Sequence, residues 1–127
     1  MEPSHREILS VLVVDDHAQN RYGTARMLRA AGYKTMEAAS GAEALEFAEY
    51  VSAVVLDIHL PDLMGFEVCR MLRKDPRTAN LPIIHVTAKH ITEEDRRESQ
   101  ESGANAYFRS PPDPDELVKT IDALIAR

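Results

Sequence analysis

Three carboxylates stand where short apolar runs stop: the adjacent pair Asp15 and Asp16 after Ile8-Leu9-Ser10-Val11-Leu12-Val13-Val14, and Asp57 after Ala53-Val54-Val55-Leu56. If the two runs are neighbouring buried strands, the three acids converge at one edge of a sheet. Carboxylates taken out of water beside one another disfavour their own charged forms, so such a cluster repels itself until something positive enters. A divalent cation is the obvious candidate. Asp also favours turns at strand ends, which is the plainer reading of each acid alone. Three converging acids cost stability without a cation, and that points to a site.

The elements that must position these acids are legible as apolar runs of strand length alternating with amphipathic segments of helix length, the pattern of repeated βα units in a parallel sheet covered on both faces. Five units follow one another. Residues 9–14 read as the first strand, and a helix from about Gln19 to Ala31 places Tyr22, Ala25, Met27 and Leu28 on helical spacing before Gly32 stops it. Lys34 to Ala39 reads as an edge strand. Ser40 then caps a helix with Glu43 three residues on, the capping-box arrangement, and Ala44, Leu45, Phe47, Ala48 and Val51 form its buried stripe. Ala53 to Leu56, apolar throughout, is a central strand ending at Asp57. The following loop leads into a helix carrying Phe66, Val68, Cys69, Met71 and Leu72, which ends at Asp75 because the residue before Pro76 is pushed out of the α region. Leu81 to Thr87 is the fourth strand. Thr92, followed by three acids, starts a fourth helix that is nearly devoid of large apolar residues and therefore thinly anchored, and Gly103 closes it. Ala106 to Phe108 is the fifth strand, and Asp113 to Arg127 carries Leu117, Val118, Ile121, Leu124 and Ile125 on amphipathic spacing.

Bulk composition narrows the function. With 127 residues, 44% hydrophobic and 28% charged, the chain reads as one domain over 1–127, ordered from about 8 to 126. A formal net charge of −6 and no Lys/Arg-rich stretch argue against nucleic acid or an anionic membrane as a direct partner. The single cysteine, Cys69, excludes an internal disulfide and reads as a small helix hydrophobe in a reducing compartment. No apolar stretch reaches membrane-spanning length and the first residues carry no signal-peptide pattern, so a cytoplasmic location is expected.

In an open parallel sheet, ligands bind in the crevice beyond the carboxyl ends of the strands, near the point where the winding reverses. Asp15, Asp16, Asp57, Thr87 and Ser110 all fall at such ends. The order Asp15-Asp16, then Asp57, Pro61 and Gly65 at four-residue steps, then Thr87-Ala88, Gly103-Ala104, and Tyr107 with Pro111 resembles the receiver domain of two-component response regulators across nearly the whole chain. That resemblance implies a flavodoxin-like, doubly wound α/β fold with a five-stranded parallel sheet of order 2-1-3-4-5 and five helices. It also implies that Asp57 accepts a phosphoryl group from a histidine kinase or phosphotransfer protein. Asp16, Asp57 and the backbone carbonyl of His59 would hold Mg²⁺, or Mn²⁺ in its place, with Asp15 acting through water. Thr87 would bind the phosphoryl group and make room for Tyr107 to turn inward, and the His59 side chain would tune the lifetime of the modification. The chain would be a signalling module and not an enzyme on other substrates. It would present the fourth helix, fifth strand and fifth helix to a downstream partner, an attached output domain or a second copy of itself.

One position departs from the family pattern. Receivers place a lysine before the proline matching Pro111, and this chain has Ser110, which donates one hydrogen bond and no charge. Lys89, two residues beyond Thr87, is a candidate replacement, whereas Arg109 should point to the other side of its strand. Ser110 keeps open a second reading, a pseudo-receiver that docks partners without phosphorylation. A Mg²⁺-dependent phosphohydrolase with Asp15 as nucleophile would need an acid two residues on, where His17 stands. A Rossmann-like nucleotide site lacks its Gly-rich turn after the first strand. His17 and His59 read as exposed loop residues, since Mg²⁺ prefers oxygen; His85 reads as packed and His90 as a surface residue. With nothing after the fifth helix to serve as output, the chain reads either as a stand-alone regulator or as a receiver from a larger protein such as a hybrid histidine kinase.

Overall fold

The computed structural model describes residues 3–89 and 91–126, so His90 lies outside the described residues. Five strands, β1 (Ser10–Val14), β2 (Lys34–Ala38), β3 (Ala53–Asp57), β4 (Ile83–Thr87) and β5 (Ala106–Arg109), form one sheet. All its pairings are parallel and its order is β2-β1-β3-β4-β5. Five α-helices, α1 (Ala18–Ala30), α2 (Gly41–Phe47), α3 (Gly65–Lys74), α4 (Glu93–Ser102) and α5 (Pro114–Ile125), cross between the strands. The central strands are mostly apolar on both faces because both are covered, with His85 the one polar residue inside β4 and Asp57 and Thr87 at strand ends. Leu12, Val14, Val54, Leu56 and Ile83 pack on Ala44, Val68, Cys69 and Leu72 of α2 and α3. Their neighbours of opposite parity, Val11, Val13, Val55, Ile84 and Val86, pack on Ala25 and Leu28 of α1 and Leu117 and Ile121 of α5. Each such aliphatic side chain contributes about 2 kcal/mol when buried. Helix α4 has no such anchor, its buried residues being Ser99 and Ser102.

Local chemistry sets most of the element ends. Gly32 and Gly103 follow α1 and α4 at φ of 107° and 106°, a conformation that side-chain-bearing residues avoid. Ser40, Thr92 and Asp113 cap α2, α4 and α5, each accepting the amide N–H three residues on. The Glu43 carboxylate reaches the amide of Ala39, one residue before the Ser40 amide that the capping box predicts. Strand β4 begins at Ile83, two residues after the sequence-based start, because Pro82 has no N–H to donate to a ladder; its carbonyl accepts from Val54.

Two expected core residues face solvent. Tyr22 is 50% exposed and Met71 48%. The buried face of α1 runs through Thr24, Ala25 and Leu28, which turns Tyr22 outward, where Arg29 lies over its ring. A 3₁₀ turn, Pro3–Ile8, precedes β1, a feature hydrophobic periodicity does not announce. The Arg6 guanidinium of that turn donates to both oxygens of Asp122 on α5 and to the Ala31 carbonyl, and the Tyr33 hydroxyl donates to the same carboxylate. At the far end of the sheet from the acids, Arg73 donates to the carbonyls of Thr78, Ala79, Leu81 and Gly103, tying two loops together.

Gly65 couples this scaffold to the acids. A Cβ on Gly65 would lie 2.6 Å from the Asp57 carbonyl oxygen and 2.8 Å from the Ile58 Cα, and the Gly65 amide donates to the Ile58 carbonyl at 2.7 Å. The start of α3 therefore rests directly on the end of β3, an approach open only to glycine. Gly65→Ala should cost about 2 kcal/mol in urea unfolding, and an unchanged midpoint would show that the contact relaxes freely.

Candidate functional site

Strands β1 and β3 are adjacent, and the chain winds in opposite directions from them, so a crevice opens beyond their carboxyl ends. Asp15 follows β1, with its amide donating to the Ala38 carbonyl of β2. Asp57 is the last residue of β3. Both are buried, and Asp57 is only 8% exposed. Asp16 faces solvent beside them. One ligand atom from each of Asp15, Asp16, His17 and Asp57 can be chosen so that all lie within 4.8 Å of one another. His17, expected as a plain loop residue, is 72% exposed at its side chain, yet its Nδ1 lies 3.2 Å from Asp16 Oδ1 and 3.5 Å from Asp15 Oδ1.

Backbone amides orient the acids. The His17 N–H donates to Asp15 Oδ1 at 2.9 Å, and the His59 N–H donates to Asp57 Oδ1 at 3.2 Å. His59 also pairs with Met64 in an isolated antiparallel bridge, which folds the loop from Asp57 to Gly65 back on itself. Arg21 of α1 donates to the Asp15 carbonyl at 2.9 Å and to Glu37 at 3.0 Å. Its charge thus reaches the backbone behind the acids and is shared with another carboxylate.

Of the remaining sequence-predicted residues, His59, Thr87, Lys89 and Ser110 lie at the same crevice, whereas Tyr107 and Arg109 do not. Thr87 ends β4 and is 2% exposed; its hydroxyl oxygen accepts from the Lys89 amide at 3.2 Å and its carbonyl from the Ser110 amide at 2.7 Å. A small pocket of about 70 Å³ is lined by Asp15, His17, Asp57, His59, Lys89 and Ser110, with Asn20 joining them from α1. Tyr107 stands apart from it, half-buried between β5 and α4 with the Arg96 guanidinium 5.8 Å above its ring. Arg109 is exposed and outside the pocket lining. Two contributors carry no local signal in the sequence. Asn20 reaches the pocket through the pitch of α1, and Asp62 caps α2 from the loop after β3, accepting from the Gly41 and Ala42 amides at 2.8 and 2.9 Å.

The electrostatics follow from this geometry. Burial pushes the Asp57 carboxyl up to about 6; the His59 amide pulls it partly back, and the charges of Asp15 and Asp16 add to the rise. Burial also raises Asp15. Asp57 is still mostly ionised at neutral pH, and more basic than an ordinary carboxylate. An all-oxygen set of partly buried acids with an open side suits a hard divalent ion such as Mg²⁺, which keeps several of its own waters.

Residues 11–122 match the response regulator receiver domain family, and the chain belongs to it. PilH of Pseudomonas aeruginosa is 36% identical over 118 residues, covering 91% of this chain and 97% of PilH. The transcriptional regulatory protein GltR of the same organism is 38% identical over 120 residues, and the chain spans only 49% of that relative's length. Among solved structures, a putative response regulator from Chloroflexus aurantiacus has a TM-score of 0.87 at 35% identity, covering 94% of this chain and 98% of that one. The receiver domain of a sensor histidine kinase from Pseudomonas aeruginosa, described with a magnesium ion coordinated in its active site cleft, has a TM-score of 0.84 at 30% identity, covering 94% and 98%. The fold is the CheY-like receiver fold that the strand order already indicated, and it places the chain among two-component signalling proteins. Among the described residues no helix is long and apolar enough to cross a membrane.

The raised Asp57 carboxyl has a signed consequence for stability. Between pH of about 4 and about 6 the folded protein holds a proton that the unfolded chain has lost, so the contribution of Asp57 falls as pH rises through that window and stays low above it. His85, lowered to about 4 by burial, has the opposite slope across a similar range and hides this in the total curve. Comparison with Asp57→Asn isolates it. In metal-free buffer the variant should exceed wild type by on the order of 2–3 kcal/mol at pH 7.5, with the difference vanishing near pH 4 in chemical unfolding. Equal stabilities at both pH values would show that Asp57 is not held in a self-repelling site.

Proposed function

We propose that this receiver takes a phosphoryl group on the Asp57 carboxylate from a histidine kinase or phosphotransfer protein, and that the modification alters the surface formed by α4, β5 and α5. The observation that carries the reading is the buried Asp57 carboxylate at a strand end, ionised at neutral pH but unusually basic, with one oxygen held by the His59 amide. In the transfer, the second Asp57 oxygen attacks phosphorus and a new P–O bond forms. The bond to the donor breaks with its electron pair, which stays on the donor's imidazole nitrogen, and that nitrogen takes up a proton from solvent; a carboxylate leaving group would depart as its anion. Phosphoryl transfer asks mainly for positioning and for charge to be offset on the equatorial oxygens.

Asp15, Asp16, Asp57 and the His59 carbonyl oxygen are the residues that would hold Mg²⁺, and the same oxygen donors suit Mn²⁺. Bound there, the ion supplies positive charge against the carboxylates and the phosphoryl oxygens. The Thr87 hydroxyl donates to a phosphoryl oxygen. Tyr107, packed against α4 under Arg96, reports the movement of Thr87 to the partner surface, where a downstream protein, an attached output domain or a second copy binds. The His59 side chain sets the access of water and hence the lifetime. The setting is the cytoplasm, where such kinases present their phosphohistidine.

Ser110 favours a second reading, a docking module that works without phosphorylation, because the residue before Pro111 brings no charge. Lys89 lines the same pocket, and in the leading reading it supplies part of the missing charge. Incubation with acetyl phosphate and Mg²⁺ should add the mass of one phosphoryl group to wild type and none to Asp57→Ala. Ser110→Lys should raise the rate about tenfold, the value of one charge-assisted contact, and Lys89→Ala should lower it several-fold. No mass gain at any Mg²⁺ concentration would reject the acceptor reading in favour of docking, and an unchanged rate in Lys89→Ala would remove Lys89 from the site.

A further inference from the structure

Helix α4 lacks the apolar anchors that hold the other helices; besides an exposed Arg70–Glu98 ion pair to α3, what it has in its buried face is a hydrogen bond to a buried histidine. His85, in the middle of β4, is fully buried. Its Nε2 lies 3.1 Å from the Gly65 carbonyl oxygen at the start of α3, and its Nδ1 lies 2.6 Å from the Ser99 hydroxyl of α4. A carbonyl oxygen can only accept, so Nε2 carries the proton and Nδ1 is the bare acceptor that receives the Ser99 O–H. The ring is held on one side by the edge of Phe66, with centroids 5.5 Å apart and planes at 84°. The other buried residue of α4, Ser102, donates to the Ser99 carbonyl at 2.6 Å, a bond within its own helix.

The far side of this bridge leads back to the acids. Gly65 is the residue whose Cα region abuts the Asp57 carbonyl. His85 also sits two positions before Thr87 on the same face of β4, toward α3 and α4. We propose that His85 is a positioning residue that ties α4, through Ser99, to the α3 start resting on Asp57, so that a change at Asp57 reaches the α4 surface through this bond. The tie is directional: a displacement of a few tenths of an ångström in β4 or α3 lengthens the bond, where an aliphatic contact would slide and persist. The route from Asp57 rests on the acceptor reading above, whereas the anchoring of α4 by His85 does not.

Amide hydrogen exchange over residues 93–103 separates these parts. Without phosphodonor, Ser99→Ala should exchange about tenfold faster than wild type in α4, with α1 and α5 unchanged. Alanine is the better helix former, so intrinsic propensity alone would slow exchange. Ser102→Ala, which leaves the His85 bond intact, should stay within twofold of wild type. Long-range ¹H–¹⁵N spectra of His85 should show the Nε2-protonated tautomer, with the Nδ1 resonance moving in Ser99→Ala. An α4 exchange rate in Ser99→Ala within twofold of wild type, or an equal acceleration in α1 and α5, would overturn the anchor. With Mg²⁺ and beryllofluoride added, exchange in α4 should change in wild type and change at most weakly in Ser99→Ala. Equal responses in both proteins would overturn the route through His85. If the segment after Asp57 responds in neither protein, the acceptor reading fails, and the measurement without beryllofluoride still decides the anchor.

Discussion

A carboxylate held out of water beside two others is the constraint on which the rest of this structure depends. Asp57 can be buried only because β3 is covered on both faces, and it can be held at the strand end only because Gly65 lets α3 approach its backbone. The His59 and His17 amides orient the acids without neutralising them. Local charge is therefore left in excess, at a cluster that could hold a cation. Ordinary packing elsewhere, at Leu28, Leu117 and Ile121 on one face and Val68 and Leu72 on the other, supplies the stability that tolerates it.

The same bookkeeping makes Ser110 the most informative departure in the chain. In the proposed acceptor reading the three clustered carboxylates would gain a further negative group, and among the described residues Lys89 is the only lysine or arginine lining the pocket beside them. The Arg21 guanidinium nearby is committed to the Asp15 carbonyl and to Glu37. In that reading the cation load would fall chiefly on the metal, and the modification would respond more steeply to Mg²⁺ than with a lysine in place of Ser110.

The architecture and the cluster were readable in the sequence for definable reasons. Fully buried strands are mostly apolar on both faces, so β1, β3 and β4 stand out despite His85 inside β4, and the polar residue that ends each run marks the crevice. Helix stops at Gly32, Asp75 and Gly103 follow from backbone sterics alone. What escaped depends on direction or distance. Tyr22 and Met71 fit a helical period loosely but lie off the buried face. Arg6 with Asp122, Asp62 with Gly41, and His85 with Ser99 join residues 116, 21 and 14 positions apart, and no local pattern specifies such partners. His85 was legible as packed, but not as the link between two helices.

Carboxyl ¹³C resonances of Asp57, followed by NMR across pH in the absence and presence of Mg²⁺, measure its protonation directly. A midpoint near 6 without metal and a marked fall on adding Mg²⁺ are expected. A midpoint near the ordinary 3.8 that ignores Mg²⁺ would contradict both expectations.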